Sequence, residues 1–259
     1  MSLSQRILPA LILGLTMSAS PGRALAATVP ATPFPSADSA RSVETTAASA
    51  PQFFRSLQTS FDATVASRYL FQGIDYSDGR SVLQPDLVIS HGPYSAVVWG
   101  NYQPNLGDVN EVDLSLKVTR SFGRLTASPG YTSLRYPNRV DWSPSQEGFV
   151  DLALAAPFSP TLSVHYDFDA GDGAYATFGL SRAVGASLTL ASNVFYQHRY
   201  YGMTGFPAAE LKVSTAFPYG SFLLAPSLSR FVSPANGDFT AAARVPAGWL
   251  LSLNFASKP

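Results

Sequence analysis

From about Ser60 to Phe255, apolar and polar residues alternate with a period of two over stretches of about 8–11 residues, each closed by turn-forming residues. Phe61, Ala63, Val65, Tyr69 and Phe71 alternate with Asp62, Thr64, Arg68 and Gln72. Val112, Leu114, Leu116 and Val118 alternate with Glu111, Asp113, Ser115 and Lys117. Leu162, Val164, Tyr166 and Phe168 alternate with Ser163, His165 and Asp167, and Leu211, Val213 and Phe217 with Glu210, Lys212 and Ser214. Trp249, Leu251, Leu253 and Phe255 close the series. A period of two puts every second side chain on one face of a strand.

The connections alternate as well. Short ones fall near His91-Gly92-Pro93, Phe122-Gly123, Phe158-Ser159-Pro160, Val184-Gly185 and Pro218-Tyr219-Gly220. Longer polar ones fall near 73–80, 103–110, 137–146, 168–174, 198–207 and 232–238. The pattern predicts an all-β fold: a transmembrane antiparallel β-barrel of about twelve strands, with six longer loops on one side and short turns on the other. A soluble β-sandwich also alternates and also turns on Gly and Pro. The barrel is favoured because one face of nearly every strand is almost uncharged. Aromatic residues also gather near strand ends (Tyr69, Phe71, Tyr102, Phe122, Tyr136, Phe158, Tyr196, Phe217), as membrane-interface girdles do. Pro85, Pro129 and Pro226 each remove a ladder donor and are expected at bulges or strand ends. Phe239–Pro246 reads either as the start of the last strand or as the last loop, with the strand starting near Gly248.

Composition narrows the class. Of 259 residues, 46% are hydrophobic and only 13% charged, about half the usual charged share. No Cys is present, which excludes disulfide frameworks, thiolate metal sites and Cys nucleophiles. The formal net charge is zero, which gives no footing for nucleic acid. The N-terminal sequence MSLSQR-ILPALILGLTM-SASPGRALA reads as a signal peptide, residues 1–26, cut before Ala27. Residues 27–57 read as a flexible leader rich in Ala, Ser, Thr and Pro, and 58–259 as the barrel. The expected location is the bacterial outer membrane, with outer-membrane lipid and the barrel-assembly machinery as partners. Phe255, with Leu251 and Leu253 on its face, takes the place of the terminal aromatic such machinery reads.

With the apolar face toward lipid, the polar face lines the interior. Asp62, Arg68, Asp86, Asp113, Lys117, Asp151, His165, Glu210 and Lys212 are the expected pore-lining residues, with Glu111, Arg124 and Asp167 beside them. Both signs occur, which fits a weakly selective pore or a salt-bridged interior rather than a single-sign ring. No catalytic set emerges: His165 has Asp167 two residues on, so no His-x-Ser pair exists, although cross-strand neighbours are not visible at this level. Asp167–Gly173 is acidic and Gly-rich but misses calcium-loop spacing, and Asp75–Gly79 reads as a turn. No metal, phosphate or dinucleotide motif occurs, so no cofactor is expected.

The segment TVASRYLFQGIDYSDGRSVLQPDLVISH, Thr64–His91, resembles the start of an uncharacterised proteobacterial outer-membrane family, the TorF-like porins. The shared elements fall on Ser67, Tyr69, Gly73, Ser77, Asp78 and Gln84. Family members often carry Arg-Gly where this chain has Gln72-Gly73, and Gly where it has Pro85. The resemblance implies an exported barrel and a pore, and supplies no substrate. Three functions fit these readings: a channel for passive diffusion of small polar solutes, a non-conducting structural or surface-interaction barrel, and a barrel hydrolase.

Overall fold

In a computed structural model the chain is described over residues 57–185, 187–234, 237–239 and 248–257. The expected signal peptide and the leader up to residue 56 lie outside these residues. Twelve long strands follow in sequence: β1 (Gln58–Ala66), β2 (Val82–His91), β3 (Tyr94–Gln103), β4 (Asp108–Val118), β5 (Leu125–Arg135), β6 (Ser145–Leu154), β7 (Thr161–Asp167), β8 (Gly173–Val184), β9 (Leu188–Tyr200), β10 (Ala209–Thr215), β11 (Phe222–Val232) and β12 (Gly248–Ser257). Each pairs antiparallel with the next. β1 pairs with β12 in the register Asp62↔Ala256 to Ala66↔Ser252, which closes the barrel. Closure leaves no open edge, the only way strands satisfy their backbone polar groups in hydrocarbon. The last strand starts at Gly248; Phe239 belongs to a short 3-10 turn, and residues 240–246 lie outside the described chain.

The alternation read from the sequence sets the two faces of the wall. On β4, Glu111 and Asp113 are 0% and 1% exposed, while Leu114 and Leu116 just beyond them are 46% and 51% exposed. The polar positions therefore face inward and the apolar positions outward. Outer-facing Phe61, Leu87, Val98, Val150, Val164 and Val213 continue the apolar belt around the barrel. Short turns and long loops alternate along the chain, and both ends of the barrel segment lie on the turn side.

The three prolines lie inside strands, each where the ladder on one side is interrupted. Pro85 pairs with Ala63 on β1, but the β2–β3 register skips from Leu83↔Tyr102 to Asp86↔Trp99. Pro129 pairs with Val150, while the β4–β5 pairing stops at Lys117↔Gly130. Pro226 pairs with Leu253, while the β10–β11 pairing stops at Ser214↔Ser227. A missing donor does no harm where no acceptor is offered.

The girdle reading needs correction. Phe122, Phe158 and Phe217 are exposed beside the short turns, but Tyr69, Phe71 and Tyr136 are buried inside the barrel. β1 ends at Ala66, and the chain then turns inward, so Arg68, Tyr69 and Phe71 do not extend the strand.

Candidate functional site

The inward turn occupies the loop end of the lumen. Leu70-Phe71 pairs with Ile74-Asp75 in a small hairpin. Its two turn residues, Gln72 and Gly73, have φ of 51° and 77°, the pattern of a tight hairpin turn with both central residues left-handed. A Cβ at Gly73 would lie 2.1 Å from the Ala208 Cβ, so the position excludes any larger residue on space as well as on φ.

Asp75 organises the base of this hairpin. One carboxylate oxygen accepts the Ser77 N–H at 2.9 Å and the Ser77 hydroxyl at 3.0 Å. The other accepts the Gly79 N–H at 2.9 Å and lies 3.7 Å from the Arg68 guanidinium. The Tyr69 N–H donates to Ser77 Oγ at 2.8 Å; the Ser67 N–H donates to the Leu251 carbonyl on β12 at 2.8 Å, and the Leu251 N–H to Ser67 Oγ at 3.1 Å. Ser67, Tyr69, Gly73 and Ser77, four of the six residues singled out in Thr64–His91, are thus among those that fold the chain into the lumen.

A chain of amides fastens the base to the wall. Gln84 donates to Asn101 at 3.1 Å, Asn101 to Asn110 at 2.6 Å, Asn110 to Gln103 at 3.2 Å, and Gln103 to the Ser77 carbonyl at 3.3 Å. The tip crosses to the far wall. There Phe71 meets Tyr175 edge-on at 5.4 Å, Gln72 donates to Thr177 Oγ1 at 3.0 Å, and Leu70 packs with Phe195, Ala208 and Phe231. Tyr69 packs against Trp99, with ring centroids 5.9 Å apart, and lies beside Glu111.

Below the hairpin a line of polar side chains descends the wall of β6 and β7. The Glu147 carboxylate accepts the hydroxyls of Tyr175 at 2.8 Å and Tyr200 at 3.2 Å and faces His165 Nδ1 at 3.1 Å. His165 Nε2 is 3.0 Å from Ser163 Oγ, and that hydroxyl donates to Asp151 at 2.6 Å. The imidazole is stacked between Phe149 and Tyr175, at 5.0 and 4.5 Å.

Ser163, His165 and Glu147 have the separations of a nucleophile, base and orienting acid. The proton runs the wrong way, however. A serine hydroxyl has one proton, and here it goes to Asp151, which leaves Oγ to accept from the ring. The strand N–H groups on both sides are spent in ladders, so none is presented to a developing oxyanion. In this arrangement the set forms a hydrogen-bonded strut between β6 and β7.

The sequence-predicted residues separate into three groups. Asp62, Asp86, Lys117, Asp151, Glu210 and Lys212 sit on inward positions of the strands, each less exposed than an adjacent apolar residue. Asp62 and Asp86 lie directly opposite each other, with Lys117 as the basic group acting on Asp86, and Glu210 accepts from Asn193 at 2.7 Å. Asp113 and His165 are buried at hairpin level. Arg68 is not on the wall but in the first loop, and Arg124 lies at a short turn, donating to the Ala155 carbonyl at 2.6 Å. Sequence reasoning missed Glu147, placed at the edge of a loop, and missed Ser163, which precedes His165 by two residues where only the residue following it was considered. It also missed the amide chain, whose members meet only across strands.

The remaining described feature of note is an apolar groove of about 550 Å³ on the outer wall, lined by Ile89, Tyr94, Leu116 and Tyr131 and facing away from all of this chemistry.

No protein-family model matches the chain, and no curated protein matches it in sequence. Among solved structures, a NanC porin in a rhombohedral crystal form is similar, with a TM-score of 0.49 and 12% sequence identity over 77% of this chain and 100% of that one.

Proposed function

We propose that the protein is an outer-membrane channel for small polar solutes, held closed at its loop end by the first-loop hairpin. The observation that carries this reading is the distribution of unsatisfied polar atoms. Among the described residues, Gln72 Oε1, Arg68 Nε and the Tyr76 hydroxyl on the first loop lack well-aligned hydrogen-bond partners, as do both Glu111 and both Asp113 oxygens, the Tyr136 hydroxyl and the Gln197 amide on the surrounding wall and loops. A permanent plug would satisfy its buried polar groups, because each orphan costs about 1–3 kcal/mol. Such a surface suits a contact that opens to water. The resemblance of Thr64–His91 to the TorF-like porins supports the same reading, and the inward polar residues Asp62, Asp86, Lys117 and Lys212 would line the solute path.

The amide chain and the buried aromatic cluster favour the second reading, a barrel that never conducts. The two are separated by shortening the hairpin. Tyr69 and Tyr76 are already joined by a backbone hydrogen bond of 2.9 Å, so Leu70–Asp75 can be replaced by a two-residue Asn-Gly turn. In planar bilayers the full chain is expected to give rare, brief openings, and the shortened chain steady steps with a defined reversal potential. If both insert with heat-modifiable mobility and neither conducts, the channel reading fails and the surface-interaction barrel stands.

A further inference from the structure

Glu111 and Asp113 are adjacent inward residues of one strand, 0% and 1% exposed. The Tyr69 side chain lies against Glu111 and the Arg135 backbone against Asp113, yet among the described residues none of the four carboxylate oxygens has a well-aligned hydrogen-bond partner. No basic side chain among the described residues pairs with either: Arg68 is engaged by Asp75, Arg139 by Asp108, and His165 by Glu147. Buried carboxylates without a counter-charge are strongly destabilising, and ionisable groups kept inside membrane proteins line solute and ion paths.

A second, independent observation points into the same place. The Tyr136 hydroxyl is buried and unpartnered. The β4–β5 register ends at Val112↔Arg135, which puts Tyr136 at the next position, level with Glu111; after burial itself, the Glu111 and Asp113 charges push its phenol furthest above the ordinary range. Aromatic faces complete the enclosure: Tyr136 meets Trp142 edge-on at 5.6 Å, and Tyr69, Trp99, Tyr175 and Tyr200 pack in the same cluster.

We infer that Glu111, Asp113 and Tyr136, uncovered when Tyr69 withdraws with the hairpin, form a recognition site for a small organic cation rich in N–H donors, a guanidinium or alkylammonium compound. The chemistry is complementary at each point. The carboxylate oxygens accept N–H bonds and neutralise the charge, charge-assisted bonds being the strong ones. The aromatic faces favour a flat or compact cation. Four acceptors lying together suit a ligand with several donors better than a quaternary ammonium, which has none. The inference rests on the hairpin moving, as in the channel reading, and names the solute class of that channel.

The test is binding, so it is independent of conduction. Trp249 is replaced by Phe so that Trp99 and Trp142 alone report, and the refolded full-length protein is titrated with agmatine, with tetramethylammonium and glutamate as comparators. Agmatine is expected to give a saturable emission change, with Kd raised at least tenfold in the Glu111→Gln/Asp113→Asn variant and several-fold in Tyr136→Phe. Removing buried charge does not endanger the fold, and Tyr136→Phe gives a second decision if the double variant is lost. Equal affinity for tetramethylammonium overturns the N–H recognition. Affinity unchanged in the variants, or no saturable change in either the full chain or the shortened-hairpin chain, overturns the site. Binding without any conductance upholds the site and sinks the channel.

Discussion

Gly73 carries a double constraint. Its φ of 77° and the 2.1 Å approach that any Cβ would make to Ala208 mean that alanine is refused twice, by backbone conformation and by space. Gly73→Ala is therefore expected to lift the hairpin tip off β9–β11 while leaving the strands paired. The check is accessibility: a cysteine placed at Ser229, which is 1% exposed beside the Leu70 contact, should react with a water-soluble maleimide several-fold faster in the Gly73→Ala background. A second residue-scale expectation concerns the Ser163–His165–Glu147 line. If it is a strut, Ser163→Ala leaves any background hydrolysis of short-chain esters unchanged, whereas Glu147→Gln lowers the thermal unfolding midpoint, because two tyrosine hydroxyls and the imidazole lose a charged partner.

At the scale of elements, the wall was legible because strand periodicity is local. Val112 to Val118 display their outward face in the sequence itself, and the short turns announce themselves by Gly and Pro. The first loop was not legible, and the reason is physical. Tyr69 and Phe71 fall in phase with Phe61, Ala63 and Val65, only the small Ser67 intervening on that face, and an aromatic ring buried in a lumen is as apolar as one facing lipid. What ends β1 is a set of contacts made by Asp75, Ser77 and Leu251, none of them visible from Ala66. Glu147 shows the same limit, since only register brings it diagonal to His165. The prolines were read nearly correctly, because a missing donor is a local fact even when the break that tolerates it lies on the neighbouring strand. Leu87, unlike Pro85, is paired on both sides, with Phe61 and Val98. Leu87→Pro is expected to cost about 3 kcal/mol or more and to abolish the heat-modifiable folded band, while Pro85→Ala keeps it.

On the scale of the whole molecule, two structures share one chain. The wall passes its hydrogen bonds from strand to strand around a complete circuit, and no link of that circuit runs through the hairpin. The hairpin has two ladder positions of its own, Leu70↔Asp75 and Phe71↔Ile74, and the backbone bond from Tyr76 to Tyr69, and is held to the wall by side chains. Cooperative units of such unequal size do not open together. Amide hydrogen exchange is therefore expected to divide the protein in time: residues 68–79 exchange by a local opening, well ahead of β4–β9, whose amides wait for the whole circuit to break. The barrel would then possess an intermediate without being partly unfolded in the ordinary sense, with every strand in place and a single side-chain-held segment released into solvent.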